Sequence, residues 1–138
     1  MKHLLSEAEA FQPELVRYRR YLHEHAETHT DLPLTSAYVK EQLSQMGYFP
    51  QDVSTCGVTA LAGKQGDRTI LLRADMDALP ITEETDFPFR AQNGNMHACG
   101  HDMHTAMLRG AARLLKAHES ELKGRVKLMF QPAEETMA

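Results

Sequence analysis

The sequence predicts an α/β fold, with a mostly parallel or mixed sheet flanked by helices. Two observations support this class. Apolar residues recur with helical spacing in the first third of the chain, whereas the middle changes to short runs that favour β-strands. A strand, a long loop, a strongly periodic helix and another strand then follow in that order, which is typical of a crossover unit between parallel strands.

The composition is that of one ordinary domain with a hydrophobic core. The chain has 138 residues, of which 42% are hydrophobic and 25% are charged, and its net charge of −4 offers no basic field for nucleic acid. The start "MKHLLSEAEAF" does not have the pattern of a signal peptide, and no apolar run approaches the roughly 20 residues of a membrane helix. We therefore expect a cytoplasmic protein in which Cys56 and Cys99 stay reduced, although one disulfide is the alternative.

Two helices are predicted in the first third of the chain. The stretch "PELVRYRRYLHEH" has a proline suited to a first helical turn, and three of its apolar residues share one face: Leu15, Tyr18 and Leu22. The stretch "DLPLTSAYVKEQLSQMGY" has Thr35 or Ser36 as its candidate N-cap and Gly47 as its C-terminal stop. Its apolar stripe comprises Val39, Leu43 and Met46.

Two short strands are predicted in the middle of the chain. The runs "GVTALAGK" and "RTILLRAD" are separated by the turn-like "KQGD". Residues 69–72, "TILL", are almost uniformly apolar, which predicts a strand that is covered on both faces. A polar loop with proline and glycine then extends from about Asp77 to Gly100.

From Asp102 the period is helical again and unusually regular. Small and apolar residues follow the spacing of an amphipathic helix: Met103, Ala106, Met107, Gly110, Ala111, Leu114 and Leu115. After "HESELKG", the run "RVKLMF" predicts a further strand that continues into "QPAEE". In open α/β sheets ligands gather beyond the carboxyl ends of the strands. The segments "RADMD", "HACGHD" and "QPAEE" are therefore expected to converge on one edge of the sheet.

Cys99 and His101 are the strongest candidates for metal ligands. Gly100 between them allows a tight turn, so that a thiolate and an imidazole can face the same point, a combination that suits Zn²⁺ or a related divalent ion. The alternative is a small apolar cysteine next to the start of a helix. We expect His97 and His104 to have supporting or structural roles.

The acidic residues near the strand ends are candidates for the rest of the site. Adjacent residues in an extended segment point opposite ways, so one carboxylate of Glu134 and Glu135 can bind metal while the other serves as general base; the alternative is a solvated surface pair. Asp75 and Asp77 can ligate, orient a histidine or cap the following loop. The tract "HEHAETH" is expected to form a solvated polar face; its histidines are His23, His25 and His29.

Four segments together resemble a known group of enzymes. They are "RRYLHEH" (19–25), "LLRADMDALPITEET" (71–85), "MHACGHDMHTAMLRGAARLL" (96–115) and "VKLMFQPAEE" (126–135). They are similar to the aminoacylase, hippurate hydrolase and indole-acetyl-amino-acid hydrolase group of the dinuclear metallopeptidases. The resemblance implies an α/β catalytic domain with an inserted lid or dimerisation domain, two divalent metal ions, and hydrolysis of the amide bond of N-acyl amino acids or related small conjugates.

The resemblance also implies roles for single residues. Cys99 corresponds to the ligand that can bridge both ions, and His101 and Glu135 correspond to further ligands. Glu134 corresponds to the general base. Asp75 and Asp77 take the places of a histidine and an orienting aspartate of distant relatives, but an alternative alignment places Arg73 and Asp75 there, so both aspartates are expected to lie behind the ligands.

The remaining family ligands are two histidines beyond the double glutamate. We therefore expect residues 1–138 to be the amino-terminal portion of the catalytic domain, without the lid or dimerisation domain and the carboxyl-terminal half. The expected partner is a small N-acyl amino acid, with neither nucleic acid nor membrane, and a homodimer would form through the absent domain. The ligand set does not distinguish Zn, Mn, Co and Ni. The alternative function is a non-catalytic metal-binding fragment.

Overall fold

The computed structural model describes residues 3–64 and 66–136, and its architecture is the predicted α/β class. Within these ranges the helices are α1 (Leu4–Ala10), α2 (Gln12–Glu24), α3 (Pro33–Gln45) and α4 (His101–Ala117), with a short 3-10 turn at Glu119–Glu121. The strands are β1 (Gln51–Val53), β2 (Gly57–Ala62), β3 (Thr69–Asp75) and β4 (Arg125–Gln131). None of the helices in the described ranges is both long and apolar enough to cross a membrane.

The strands form a mixed sheet in the order β1-β2-β4-β3. The β1–β2 and β2–β4 pairs are antiparallel, whereas β3 and β4 are parallel and are connected by the long loop and α4. In the parallel pair, Asp75 lies opposite Gln131, and the Met76 N–H donates to the Gln131 carbonyl at 2.8 Å. The carboxyl ends of β3 and β4 are therefore level, which brings the residues that follow them side by side.

The main core lies between the sheet and helices α3 and α4. Its largest fully buried members include Phe130 and Leu128 from β4 and Leu43 from α3. Tyr18 and Leu22 of α2 pack with Ala106 of α4 in a second cluster, which confirms the predicted apolar face of α2. Helices α2 and α4 are thus fixed against each other directly beside the start of α4.

The prediction that β3 is covered on both faces is wrong for its first half. Ile70 and Leu71 are 62% and 59% exposed, although Ala74 and Asp75 at the end of the strand are buried. Successive side chains of a strand point to opposite faces, so neither face is covered at these two positions by the part of the chain described here. Leu71 pairs with Lys127 of β4, which is also exposed, so this face of the sheet is open among the described residues.

The predicted N-cap of α3 is also wrong. The helix begins at Pro33, and Thr35 and Ser36 are buried within its first turn. The carboxylate of Glu27 accepts the N–H groups of Leu34 and Thr35, at 3.1 and 2.6 Å. A residue outside the helix therefore satisfies the donors that an N-cap side chain usually satisfies.

The predicted C-terminal stop of α3 is confirmed. Gly47 has φ of +93°, directly after the end of α3, which confirms it as the stop.

In α4, Met103 and Met107 are exposed rather than on the buried side. The buried residues of α4 form a face shifted by one to two positions, because this helix packs against both the sheet and α2: His101, Asp102, Thr105, Ala106, Leu108, Arg109, Gly110 and Ala112.

Candidate metal centre

Three polar segments meet at the carboxyl edge of the parallel strand pair, as the sequence predicted. His101 at the first position of α4 lies at their centre and is 3% exposed. Its Nε2 lies 3.6 Å from Asp75 Oδ1 at the end of β3, 3.6 Å from Glu134 Oε2 and 3.5 Å from Glu135 Oε1 after β4. One imidazole nitrogen therefore faces three carboxylates that come from two strand ends.

The other nitrogen of His101 fixes the orientation of its ring. Nδ1 lies 2.7 Å from the backbone carbonyl oxygen of Asp77 and 3.4 Å from Asp77 Oδ1. A hydrogen on Nδ1 that is donated to this carbonyl leaves the Nε2 lone pair directed at the carboxylates, which is the tautomer of a metal-bound histidine. Asp77 Oδ2 also accepts the Glu135 N–H at 2.9 Å, so Asp77 positions both predicted ligands.

Cys99, His101 and Glu135 form a group with metal-ligand geometry. One ligand atom from each lies within 4.8 Å of the others. Gly100 separates the cysteine from the histidine in a left-handed conformation with φ of +93°, which supplies the tight turn that the sequence predicted. Thiolate, imidazole and carboxylate together suit a divalent ion such as Zn²⁺.

A buried oxygen supports the fit of a cation to this group. Glu135 Oε1 is buried without a hydrogen-bond partner among the described residues, and so is Asp77 Oδ1. Buried carboxylate oxygens are costly to leave unpaired. A positive ion between Cys99, His101 and Glu135 would satisfy the Glu135 oxygen.

Asp75, His101 and His104 form a second group within the same 4.8 Å limit. His104 Nδ1 lies 2.6 Å from Asp75 Oδ1, and the His104 ring stacks on that of His101 with centroids 5.6 Å apart. Supporting roles are predicted for both Asp75 and His104, and the structure brings both to the edge of the site. Arg73 Nη1 donates to the other Asp75 oxygen at 2.7 Å.

The two acidic residues after β4 do not point opposite ways, which corrects the prediction. The strand ends at Gln131, Ala133 has φ of +58°, and residues 134–136 form a turn. Because the segment is not extended, the carboxylates of Glu134 and Glu135 both approach His101 Nε2. Glu134 is the more exposed, with 40% of its side chain accessible against 20% for Glu135.

The carboxylates change the acidity of the groups around them. The approach of the Glu135 carboxylate, then burial and the negative charges of Glu135, Glu134 and Asp75, raise the pKa of the Cys99 thiol. Burial acts to raise the pKa of Asp75, but the hydrogen bond with His104 and the nearby His101 outweigh it and lower that pKa. The site is therefore rich in negative charge, and a bound cation would favour the Cys99 thiolate.

The remaining cysteine lies elsewhere. Cys56 Sγ accepts the Leu32 N–H at 3.4 Å, and both cysteines are free, so the disulfide alternative is wrong.

His97, beside the ligand loop, is buried and neither ring nitrogen has a partner among the described residues. Burial lowers the pKa of His97 to about 4, which keeps its ring neutral near pH 7.

The prediction for the "HEHAETH" tract is wrong for His23. His29 is exposed and His25 Nδ1 contacts the carbonyl of its own helix, but His23 is buried between two carboxylates, those of Glu83 and Asp102. Asp102 is 79 residues away in the sequence, so local spacing cannot reveal the contact. The sequence feature that could have indicated burial of His23 is its position directly after Leu22, which lies on the apolar face of α2.

Fold and site together define an α/β domain that groups candidate metal ligands at the carboxyl edge of a parallel strand pair. Residues 71–138 match the family model described as Peptidase family M20/M25/M40. The chain is 44% identical over 130 residues to an N-acetyl-L-cysteine deacetylase of Bacillus subtilis, covering 92% of this chain and 31% of that protein. It is 46% identical over 133 residues to the IAA-amino acid hydrolase ILR1-like 5 of Arabidopsis thaliana, covering 95% and 31%.

A solved structure shares the fold. The Bacillus subtilis YXEP protein, described as a dinuclear metal binding peptidase from the M20 family, has a TM-score of 0.89 and 43% identity, covering 94% of this chain and 37% of that one. The resemblance to the amidohydrolases of this peptidase family is therefore confirmed. The chain spans about a third of the length of the curated relatives it matches.

Proposed function

We propose that this chain carries part of the metal centre of an amidohydrolase that cleaves the amide bond of N-acyl amino acids or related small conjugates. The observation that carries the proposal is the grouping of Cys99, His101 and Glu135 within 4.8 Å, beside the carboxylate of Glu134. The named relatives act on N-acetyl-L-cysteine and on IAA-amino acids, which are both amino acids with an acylated nitrogen. These names support the substrate class.

Cys99, His101 and Glu135 would hold a divalent ion, with Asp77 holding the ring of His101. We propose two ions per complete site, and the description of the related structure as dinuclear supports this number. When bound, such ions polarise the scissile carbonyl and lower the pKa of a nucleophilic water. The donor set is compatible with Zn, Mn, Co or Ni.

Glu134 is the proposed general base. Its Oε2 lies 3.6 Å from His101 Nε2, so the carboxylate reaches the metal group, and its partial exposure leaves it accessible to water and substrate. A carboxylate in this place takes a proton from the attacking water and delivers it to the departing amine. Glu135 differs because the Asp77 contact and its burial hold it as a ligand.

We propose that residues 1–138 are the amino-terminal portion of the catalytic domain, that the substrate is a small molecule, and that the protein is cytoplasmic. The second candidate function is a metal-binding fragment without activity of its own. It is supported by a ligand group of three residues, which suffices for one ion.

The substitution Glu134→Gln in the complete enzyme tests the proposed function. It should leave ion content unchanged and lower kcat by 10²-fold or more, the scale on which a positioned proton-transfer group contributes. The measurements are ion content by elemental analysis and hydrolysis of an N-acetyl amino acid. Glu41→Gln, an exposed glutamate of α3, is the matched control and should behave as wild type. Normal turnover with normal ion content in Glu134→Gln would refute the assignment of the base.

A further inference from the structure

A buried ionic cluster lies behind the metal group and joins three separate parts of the chain. His23 of α2 has Nδ1 at 2.9 Å from Asp102 Oδ2 in α4, and Nε2 at 2.9 and 3.0 Å from the oxygens of Glu83 in the long loop. The three residues are 2%, 0% and 7% exposed. With a hydrogen on each ring nitrogen, His23 donates to both carboxylates at once.

Each carboxylate of the cluster has further donors. Asp102 Oδ2 accepts from Arg19 Nε at 2.7 Å, and Asp102 Oδ1 accepts the Met103 N–H at 2.9 Å. Glu83 accepts the Ala91 N–H at 2.9 Å and the Thr85 hydroxyl. Burial acts to raise the pKa of Glu83, but the hydrogen bonds with Thr85, His23 and Ala91 outweigh it and lower that pKa. Charges buried in this way remain favourable only while every partner is present.

The cluster fixes the start of α4, where the metal group begins. Asp102 directly follows the ligand His101. The N-cap of α4 is Gly100, which has no side chain to hold the first turn, so the side chain of Asp102 and its partners on α2 do so instead. Any rotation of this first turn would move His101 and Cys99 relative to Glu135.

The loop that leads to Cys99 is attached to the same end of α2. Phe89 packs edge-on against His23 with ring centroids 5.6 Å apart. The side-chain amides of Asn93 and Asn95 donate to the carbonyl of Ala26, at 2.8 and 3.2 Å. The cluster therefore holds the segment of Cys99 and His101 from both sides, at Glu83 before it and at Asp102 directly after it.

From this arrangement we infer that His23 is a positioning residue for the metal group, acting through Asp102 and Glu83 on the geometry of Cys99 and His101. The inference rests on the proposed function only in that Cys99, His101 and Glu135 bind an ion. A cluster that served stability alone would change the free energy of unfolding but not the affinity of the folded protein for the ion. Removal of a group that orients a metal ligand typically costs about 10–100-fold in metal affinity.

The test is a metal titration of the chain and of His23→Gln, with Co²⁺ as the probe and Zn²⁺ by competition. The cobalt–thiolate absorption reports ligation by Cys99 independently of turnover. His23→Gln should bind with a Kd raised about 10-fold or more and with a weakened thiolate absorption. Arg19→Gln removes the half-buried partner of Asp102 and should also raise the Kd. If His23→Gln does not fold, Arg19→Gln alone tests the inference.

Arg109→Gln is the matched control. Arg109 is as buried as the cluster and also links α2 to α4, through Glu14 Oε1 at 2.9 Å, but it lies two turns further along α4 than His101. This variant should unfold more easily than wild type and bind the ion with unchanged Kd. An unchanged Kd in folded His23→Gln and Arg19→Gln, or an equal rise in Arg109→Gln, would overturn the inference and leave the metal site standing. A wild-type chain that binds no ion would overturn both the metal site and the inference. Absence of N-acyl amino acid hydrolysis by the complete enzyme with its ions bound would count only against the proposed function.

Discussion

His101 shows how single residues divide their roles in the proposed metal group. Asp77 accepts from one ring nitrogen through its backbone carbonyl, and the other nitrogen faces the carboxylates of Asp75, Glu134 and Glu135. The ring is thus held before any ion binds, which reduces the cost of ordering the ligand. Asp77 also holds the backbone of Glu135, so one aspartate couples two proposed ligands that come from different segments, His101 from α4 and Glu135 from the turn after β4.

The substitution Gly100→Ala tests the turn between Cys99 and His101. A Cβ at this position would meet nothing within 4 Å, so Gly100→Ala is opposed only by the left-handed backbone at φ of +93°. We expect the free energy of unfolding to fall by about 1–2 kcal/mol. Because relief of this strain would open the turn between Cys99 and His101, ion affinity should fall as well. Chemical denaturation and metal titration measure the two effects.

Gly94→Ala is the control for this prediction. Gly94 also has a positive φ, +82°, and open space for a Cβ, but it is not between the ligands. It should lose similar stability and keep the ion affinity of the wild type. Equal losses of affinity in the two variants would show that backbone strain at Gly100 does not act on the ligand pair.

At the scale of elements, α1 is attached to the end of α4 by a histidine. His118 Nε2 lies 2.8 Å from Glu7 of α1, and its Nδ1 lies 2.6 Å from Glu121 of the 3-10 turn. The hydrogen bonds with Glu7 and then Glu121 raise the pKa of His118 above its usual 6.5. A raised pKa in the folded state means that the folded protein binds the proton more tightly than the unfolded chain.

The pH dependence that follows has a defined sign. The stabilisation by charged His118 is fully present below pH 6.5 and is lost as the pH rises through the higher pKa of the folded state. The stability difference between wild type and His118→Gln should therefore be larger at pH 6 than at pH 9. Urea unfolding of both proteins at the two pH values measures this difference. A difference that is constant or grows with pH would contradict the role of His118.

The elements also show what periodicity can predict. The spacing of Tyr18 and Leu22 correctly predicted the buried face of α2, since helical period and burial are linked by geometry. The apolar run of β3 did not predict coverage, because an apolar run does not show which other elements pack on each face of its strand. The start of α3 was misplaced because its cap, Glu27, belongs to a preceding segment.

At the scale of the whole molecule, the parallel pairing of β3 with β4 is what assembles the site. Level strand ends place Asp75 and Asp77 beside residues 131–135, and the crossover returns His101 to the same edge. Segment order alone predicted this convergence, whereas residue chemistry and the family resemblance named Cys99, His101, Glu134 and Glu135 as candidates. It could not predict the cluster around His23, whose partners are 60 and 79 residues away, because long-range pairs leave no local pattern.

The central claim is that Cys99, His101 and Glu135 bind a divalent ion, and the number of ions bound by this chain tests it most directly. Calorimetric titration of the metal-free chain with Zn²⁺, together with elemental analysis, should give about one tightly bound ion for a group of three protein ligands. Cys99→Ala should lose this ion, whereas Cys56→Ala, which removes the cysteine beside Leu32, should keep it. A wild-type chain without a bound ion, or a Cys99→Ala chain that binds as tightly as wild type, would contradict the account.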